Sequence, residues 1–114
     1  MSRQTGAHFE RVAEAFLTRR GLRTVETNYS CRGGEIDIIC DDRGTLVFVE
    51  VRARKGHGFG APEETVGLVK RQRLILAARH YLMRKGLEDR NCRFDVVAIE
   101  GTEVRHFENA FELS

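Results

Sequence analysis

The fold is decided by residues 34–54, which read GEIDIICDDRGTLVFVEVRAR. Two β-prone stretches, 35–40 and 45–52, are separated by residues 41–44 (DDRG), a composition typical of a hairpin connection. Side chains alternate between the two faces of a strand, and both faces of the second stretch are apolar until Glu50 near its end. A strand that is apolar on both faces is normally central in its sheet. The pattern therefore predicts a hairpin whose second strand is covered on both sides.

The segments outside this hairpin predict two helices and three further strands. Apolar residues at helical spacing indicate an amphipathic helix over about residues 5–20, with Gly21 as its C-terminal stop. A second helix is predicted over about residues 63–85, and Gly86 ends it. The other predicted elements are strands at 23–27, 93–100 and 103–107, turns at Asn28 and at Gly33-Gly34, and a glycine-rich basic loop at 53–64.

This order predicts an α/β fold with an αβββαβ core, in which helices flank a mixed β-sheet, as a single domain over residues 1–114. No stretch approaches the ~20 apolar residues of a membrane helix, and the N-terminus does not resemble a signal peptide. The three cysteines are odd in number and form no C-x-x-C pair, so neither a disulfide framework nor a zinc knuckle is expected. We therefore expect a cytoplasmic protein without a membrane partner.

Charge is distributed unevenly, although the formal net charge is only +2. Residues 1–50 carry a net charge of −1, residues 51–93 of +7 and residues 94–114 of −4. A basic surface beside a group of acids suits a polyanionic ligand together with a cation. The solvated face of a charged helix would give the same distribution, and charge alone leaves both interpretations open.

Asp37 and Glu50 occupy positions at which apolar residues are expected. Asp37 lies between two isoleucines, and the hairpin brings it close to Glu50 on the neighbouring strand. Buried carboxylates are costly unless they are paired or bound to a metal, and two neighbours repel unless a cation lies between them. Oxygen-only ligands suit Mg²⁺ or Mn²⁺. The pattern is equally compatible with structural salt bridges to arginines such as Arg52 or Arg93.

Two helical charges lie beside these acids in the pattern. Glu10 falls at the edge of the apolar stripe of the first helix, and Lys70 falls among apolar positions of the second. For Lys70, extension to solvent or contact with a phosphate is favoured over catalysis. No two histidines have metal-ligand spacing, and the chain contains neither a phosphate-binding loop motif nor a G-x-S-x-G elbow.

The motifs GEIDII (residues 34–39) and FVEVRAR (residues 48–54) resemble the YraN-like family of bacterial proteins. Residues of both predicted helices and the motif RFDVV (residues 93–97) fit the same family, so the likeness covers nearly the whole chain. The two strand motifs together are more specific than either alone. That family is in turn similar to the restriction-endonuclease-like nucleases.

The resemblance implies the nuclease signature of an Asp, then Glu-x-Lys on the next strand, with a helical Glu before them. On this chain it implies Asp37, Glu50 and Glu10 as the acids, and Arg52 stands at the lysine position. An arginine can clamp phosphate oxygens, but it stays protonated and is a poor base. Three explanations stay open: a metal-bound water suffices, Lys70 supplies the lysine from the helix, or the site binds without catalysing.

The implied activity is Mg²⁺- or Mn²⁺-dependent hydrolysis of nucleic-acid phosphodiesters. Asp37, Glu50 and the main-chain carbonyl of Val51 would hold the metal, and Glu10 would act through water or at a second ion. Arg52 and Lys70 would contact the scissile phosphate. Further predicted contacts are Arg54, Lys55, Arg71 and Arg73 with neighbouring phosphates. For Phe59, contact with a base and a packing role both stay open.

A small lone domain favours recognition of nucleic-acid shape over sequence, and DNA is a more suitable partner than RNA; homodimer formation, common in this fold, is left open. Two other classes of protein fit the same residues. One is a nucleic-acid-binding adaptor with a degenerate nuclease site, which the Arg52 substitution favours. The other is a protein-interaction domain with structural buried acids. Its acidic C-terminal residues (Glu100, Glu103, Glu108 and Glu112) could form the contact surface, although a solvated sheet edge is favoured for them.

Overall fold

A computed structural model describes residues 3–54 and 67–111 of the protein. Within these residues the chain forms two helices and five strands. They are α1 (Arg3–Arg19), β1 (Arg23–Cys31), β2 (Gly34–Asp42), β3 (Thr45–Arg54), α2 (Leu68–Lys85), β4 (Cys92–Glu100) and β5 (Glu103–Phe111). The predicted order αβββαβ with a further strand is confirmed.

The five strands form one mixed sheet in the order β1-β2-β3-β4-β5. β3 and β4 pair in parallel, and the other three pairs are antiparallel. α2 connects the two parallel strands, as a parallel pair requires a crossover connection. β3 is therefore the central strand, which agrees with the apolar character of both its faces.

Each face of the sheet is covered by one helix. On one face Leu74, Ala77 and Tyr81 of α2 pack against Phe48 and Phe94. On the other face the buried residues of α1 are Ala13 and Leu17, and they pack against odd-numbered valines of β3. The alternation of side chains along β3 thus supplies both hydrophobic cores.

Gly34, the first residue of β2, allows α2 to lie directly against the sheet. A Cβ atom at this position would lie 2.3 Å from the carbonyl oxygen of Arg73 and 3.2 Å from the Cβ atom of Ala77. Because real Cβ atoms do not approach backbone this closely, only glycine permits the observed distance between helix and strand. Gly34 thereby sets the position of the first turns of α2.

Three predicted boundaries are wrong. Asn28 does not end β1 but lies within the strand. It adopts a left-handed φ of 53°, a conformation that asparagine tolerates better than most residues. β3 continues through Arg54 instead of giving way to a loop at residue 53. β5 continues to Phe111, whose ring stacks on Phe94 with centroids 4.7 Å apart. The remainder of the predicted loop and the predicted start of the second helix at residue 63 lie outside the described residues.

Two predictions from composition are consistent with the structure. All three cysteines are free, and Cys40 is fully buried in the core. Burial raises the pKa of the Cys40 thiol to about 12, so this residue is packing material rather than a nucleophile. Neither of the described helices is long and apolar enough to cross a membrane.

Candidate active site

Asp37 lies where β2 departs from regular pairing on both sides. Toward β3 the pairing ends at Ile38 and Val49, so Asp37, the residue that precedes Ile38, is not paired with β3. Toward β1, Asp37 lies opposite Asn28, which has the left-handed φ, and neither residue is paired between Thr27–Ile38 and Tyr29–Ile36. Ile36 and Ile38 pack in opposite cores although they are two residues apart, so the alternation of side chains is interrupted at Asp37. Irregularities of this kind redirect a side chain and are common next to active sites.

The carboxylates of Asp37 and Glu50 meet different partners at this point. The main-chain N–H of Val51 donates to Asp37 Oδ2 over 2.8 Å, so Asp37 satisfies a β3 amide where the paired ladder has stopped. Glu50 is only 5% exposed, and its Oε1 lies 2.7 Å from Nζ of Lys70 in the first turn of α2. The Lys70 side chain remains half exposed. The lysine thus spans the distance between the buried acid and solvent.

The alternative in which Arg93 pairs with Asp37 or Glu50 is wrong. Its guanidinium binds Asp95 and Asp42 instead. Arg52 lies on β3 two residues after Glu50, and its positive charge opposes the rise in the pKa of both Asp37 and Glu50. The ion pair of Glu50 is nevertheless made by Lys70, a residue on a different element.

Three carboxyl groups at this site have raised pKa values. Burial and the charge of Asp37 raise the pKa of Glu50 to about 7, although Lys70 and Arg52 oppose the shift. Burial also raises the pKa of Asp37, against the Val51 N–H bond and the charge of Lys70. The pKa of Glu10 is raised by burial and by the charge of Asp37, against a hydrogen bond from Asn28. The structure therefore brings Glu10, Asp37 and Glu50 into one interacting group, in which the charge of Asp37 raises the pKa of both glutamates.

Sequence reasoning missed Glu35, a fourth acid of this site. Its negative charge raises the pKa of both Asp37 and Glu10. Glu35 also lines two cavities, one of about 350 Å³ beside Glu10 and Asp37, and one of about 440 Å³ beside Glu50 and Lys70. The spacing of two residues between Glu35 and Asp37 in a predicted strand was the signal that could have identified it.

The predicted phosphate contacts differ in how they are placed. Arg73 is exposed and lines the cavity beside Lys70. Arg71 is only partly exposed, and its guanidinium lies 5.5 Å from the centre of the Phe111 ring, so it contributes to packing. The side chain of Arg54, together with Lys55 and Phe59, lies outside the described part of the chain.

The donor set of this site agrees with a hard divalent cation. Asp37 and Glu50 offer only oxygen ligands. Their negative charges repel each other, and a cation would offset that repulsion. No group of three or more His, Cys, Asp or Glu side chains stands ready to bind a metal within residues 3–54 and 67–111. Mg²⁺ commonly takes one or two carboxylates and keeps several waters, so the two acids fit that ion.

Asp95 is a second buried acid that sequence reasoning did not single out. It is fully buried in β4 and accepts hydrogen bonds from Arg93, from His106 Nε2 over 2.7 Å and from the main-chain N–H of Asn109 over 2.9 Å. Burial raises its pKa, but these hydrogen bonds outweigh burial, and the pKa of Asp95 is lowered. Asp95 is therefore a fully partnered structural acid, in contrast to Glu50.

Comparison with known proteins places the chain in a family. The model of the "Uncharacterised protein family UPF0102" matches residues 9–99. A UPF0102 protein of Methylibium petroleiphilum is 51% identical over 109 residues, which cover 90% of this chain and 88% of the relative. The UPF0102 proteins of Aeromonas hydrophila (46% over 108 residues, 93% and 83%) and Saccharophagus degradans (45% over 112 residues, 97% and 95%) are similar over comparable lengths. The protein therefore belongs to the UPF0102 family, which is the YraN-like family that the two strand motifs indicated.

Proposed function

We propose that this protein is a metal-dependent endonuclease that hydrolyses nucleic-acid phosphodiester bonds and selects DNA by its structure. The observation that carries the proposal is that Asp37 and buried Glu50 lie side by side on neighbouring strands, with Nζ of Lys70 2.7 Å from Glu50. The pKa values of both acids are raised there. A carboxylate that serves only the fold is expected to be partnered as Asp95 is. Strongly perturbed acids in a cleft beside basic side chains are typical of functional sites.

Asp37 and Glu50 would hold Mg²⁺ or Mn²⁺ together with the carbonyl of Val51 and water, and Glu10 would contribute through water. When bound, the ion would lower the pKa of a coordinated water and offset charge on the phosphate. The Val51 N–H fixes the direction of the Asp37 carboxylate, since it already donates to Oδ2. Asp37 Oδ1 would then be the oxygen that meets the ion.

Lys70 is the best candidate for the lysine of the nuclease signature. Its Nζ reaches Glu50, and its half-exposed side chain can turn toward a phosphate oxygen. Arg52 follows Glu50 by two residues and would add positive charge on the scissile phosphate without acting as a base. Both cations would stabilise the charge that develops on the phosphate during attack.

The test is cleavage of labelled single-stranded, duplex, flapped and four-way DNA and of structured RNA with Mg²⁺ or Mn²⁺. Asp37→Asn and Glu50→Gln keep shape and hydrogen-bonding capacity but remove the charge, and both are expected to abolish cutting. Glu103→Gln, in which an exposed acid of β5 loses its charge, is the matched control and should cut normally. Metal-dependent cutting that survives in both site variants would contradict the proposal.

A nucleic-acid-binding adaptor is the second candidate. Two observations favour it: arginine stands at the lysine position, and no three-ligand group is formed within the described residues. An adaptor would bind the same DNA panel with strong salt dependence and cut none of it. Binding that is equal in the wild type, Asp37→Asn and Glu50→Gln, without cleavage under any metal, would favour the adaptor.

A further inference from the structure

The cavity of about 440 Å³ next to Glu50 has an apolar side and a charged side. Leu68, Val69 and Leu74 of α2 form the apolar side. Its volume lies within the roughly 300–1,000 Å³ range of small-molecule pockets in proteins. A site that met only phosphates would need cations and polar groups, so the aliphatic wall requires a different part of the ligand.

The charged side of this cavity continues the candidate active site. Glu50 and Lys70 line both, and Arg73 follows Lys70 by one turn of α2. A nucleotide has the same division, since its phosphate is anionic and the faces of its base are apolar. Glu35 also lines this side, so its two acids and two bases balance, and Lys70 and Arg73 are the lining groups that would hold a phosphate while the base lies against the aliphatic wall.

The rim of the cavity carries aliphatic side chains that are largely exposed to solvent. Leu68 is 70% exposed and Val69 is 69% exposed, and they are consecutive residues at the start of α2. Neighbouring aliphatic side chains left in water at the edge of a concave site mark a surface that a ligand covers. Lys70 and Arg73 lie within two turns of these side chains and would meet an anionic part of that ligand.

We propose that this cavity receives an unpaired nucleobase next to the phosphate held at Lys70. The inference rests on the proposed function and names the substrate class of the same site. A base inside a duplex is stacked and cannot enter a side pocket unless it is extruded, so a gap, bulge or flap meets the requirement at lower cost. The aliphatic wall of Leu68, Val69 and Leu74 offers no base-specific hydrogen bonds, so it would pack against the apolar face of any base.

The experiment measures binding, so that it does not depend on cleavage. The probes are a DNA duplex with one bulged 2-aminopurine and the same duplex with that base paired, both in EDTA. We expect tighter binding of the bulged probe and a change of 2-aminopurine fluorescence. The Leu68→Ser/Val69→Ser protein should lose affinity for the bulged probe, by at most the roughly 5- to 150-fold that loss of a base-stacking aromatic residue causes.

Met83→Ser is the matched control, because Met83 is 69% exposed on the same helix but lies outside the cavity. It should bind both probes as the wild type does. Equal affinity of the wild type for the two probes, or an equal loss in Met83→Ser, would overturn the inference. Metal-dependent cutting without preference for the bulge would leave a nuclease without a base pocket, whereas bulge-specific binding without cutting would support the pocket and contradict the nuclease.

Discussion

Asp95 and Glu50 show at the scale of single residues how the same chemical group can serve two purposes. Both are buried acids on adjacent strands of the sheet. Hydrogen bonds from His106 and Arg93 hold the pKa of Asp95 below its ordinary value, whereas burial and Asp37 raise that of Glu50 to about 7. Folding therefore favours the charged form of Asp95 and disfavours the charged form of Glu50.

Glu50→Gln should make the metal-free protein more stable at alkaline pH. Because the folded pKa of about 7 exceeds the ordinary value of 4.5, the folded protein keeps a proton that the unfolded chain releases between these values. Wild-type stability therefore falls as pH rises through this window, and the glutamine variant lacks that loss. We expect the variant to be more stable by up to about 3 kcal/mol at pH 8 and by less than about 1 kcal/mol at pH 5.

Urea denaturation in EDTA at both pH values measures this difference. Asp95→Asn is the control with the opposite sign, because a lowered pKa gives stability that is present above the unfolded pKa. Removing one partner of this buried network should cost about 3 kcal/mol at pH 8. A Glu50→Gln protein that is less stable than the wild type at pH 8 would show that Glu50 is a structural ion-pair residue.

Lys70 and Arg52 make separable contributions if the protein cuts DNA. Lys70→Met removes the ammonium group that reaches Glu50, and we expect cleavage to slow by roughly 10²- to 10³-fold, the usual cost of losing one donor to a developing charge. Arg52→Lys keeps the positive charge and should stay within about tenfold of the wild type. Single-turnover cleavage rates measure both. A severe loss in Arg52→Lys with normal cutting by Lys70→Met would assign the lysine role to position 52 instead.

At the scale of helices and strands, the central elements were predictable and the edges were not. β3 could be predicted because both its faces are buried and therefore apolar in sequence. The acids of the β2–β3 hairpin could be identified because they interrupt this apolar pattern. β1 and β5 are edge strands with one half-exposed pattern each, so their ends could not be read from periodicity. Asn28 and Asn109 adopt a left-handed φ inside these strands, and an asparagine is read as a turn signal in sequence.

The partners of the buried acids could not be predicted from the sequence for a different reason. Asp37 and Glu50 are joined by a local hairpin, and their neighbourhood follows from its register. The contact between Glu50 and Lys70 depends on where α2 lies over the sheet, which is a long-range packing result. Asp95 is partnered by Arg93 on its own strand and by His106 and Asn109 on the edge strand β5, where the register shifts between Phe94 and Val96, so its role could be decided only in three dimensions.

Gly34→Ala tests whether the contact of α2 with β2 positions the site. An added Cβ would meet the Arg73 carbonyl at 2.3 Å, so the helix must move away from the strand. We expect a loss of roughly 1 to 3 kcal/mol in unfolding free energy and slower cleavage, since Lys70 moves with the helix. Denaturant midpoints measure the first effect. A glycine-to-alanine change without a clash would instead stabilise by about 0.4–1 kcal/mol, and that result would contradict the close approach.

At the scale of the whole molecule, the chain concentrates its positive charge in the segment that follows the acids. Residues 51–93 carry a net charge of +7, and α2 holds a large share of it. The fold places the start of α2 over Glu50, so part of this charge borders the carboxylate group. A polyanion could thus be attracted by the helix while its reacting phosphate approaches the acids.

The salt dependence of DNA binding measures how much of this charge meets phosphates. Contacts by Arg52, Lys70 and Arg73 would give a slope of log Kobs against log [salt] of about −2.7 or steeper on duplex DNA. Arg73→Gln should reduce that slope by about 0.9, whereas Arg84→Gln at the other end of α2 should leave it unchanged. Both the nuclease and the adaptor require this behaviour. A slope near zero would mean that the basic segment is a solvated face, and the protein-interaction domain with structural acids would then be the better description.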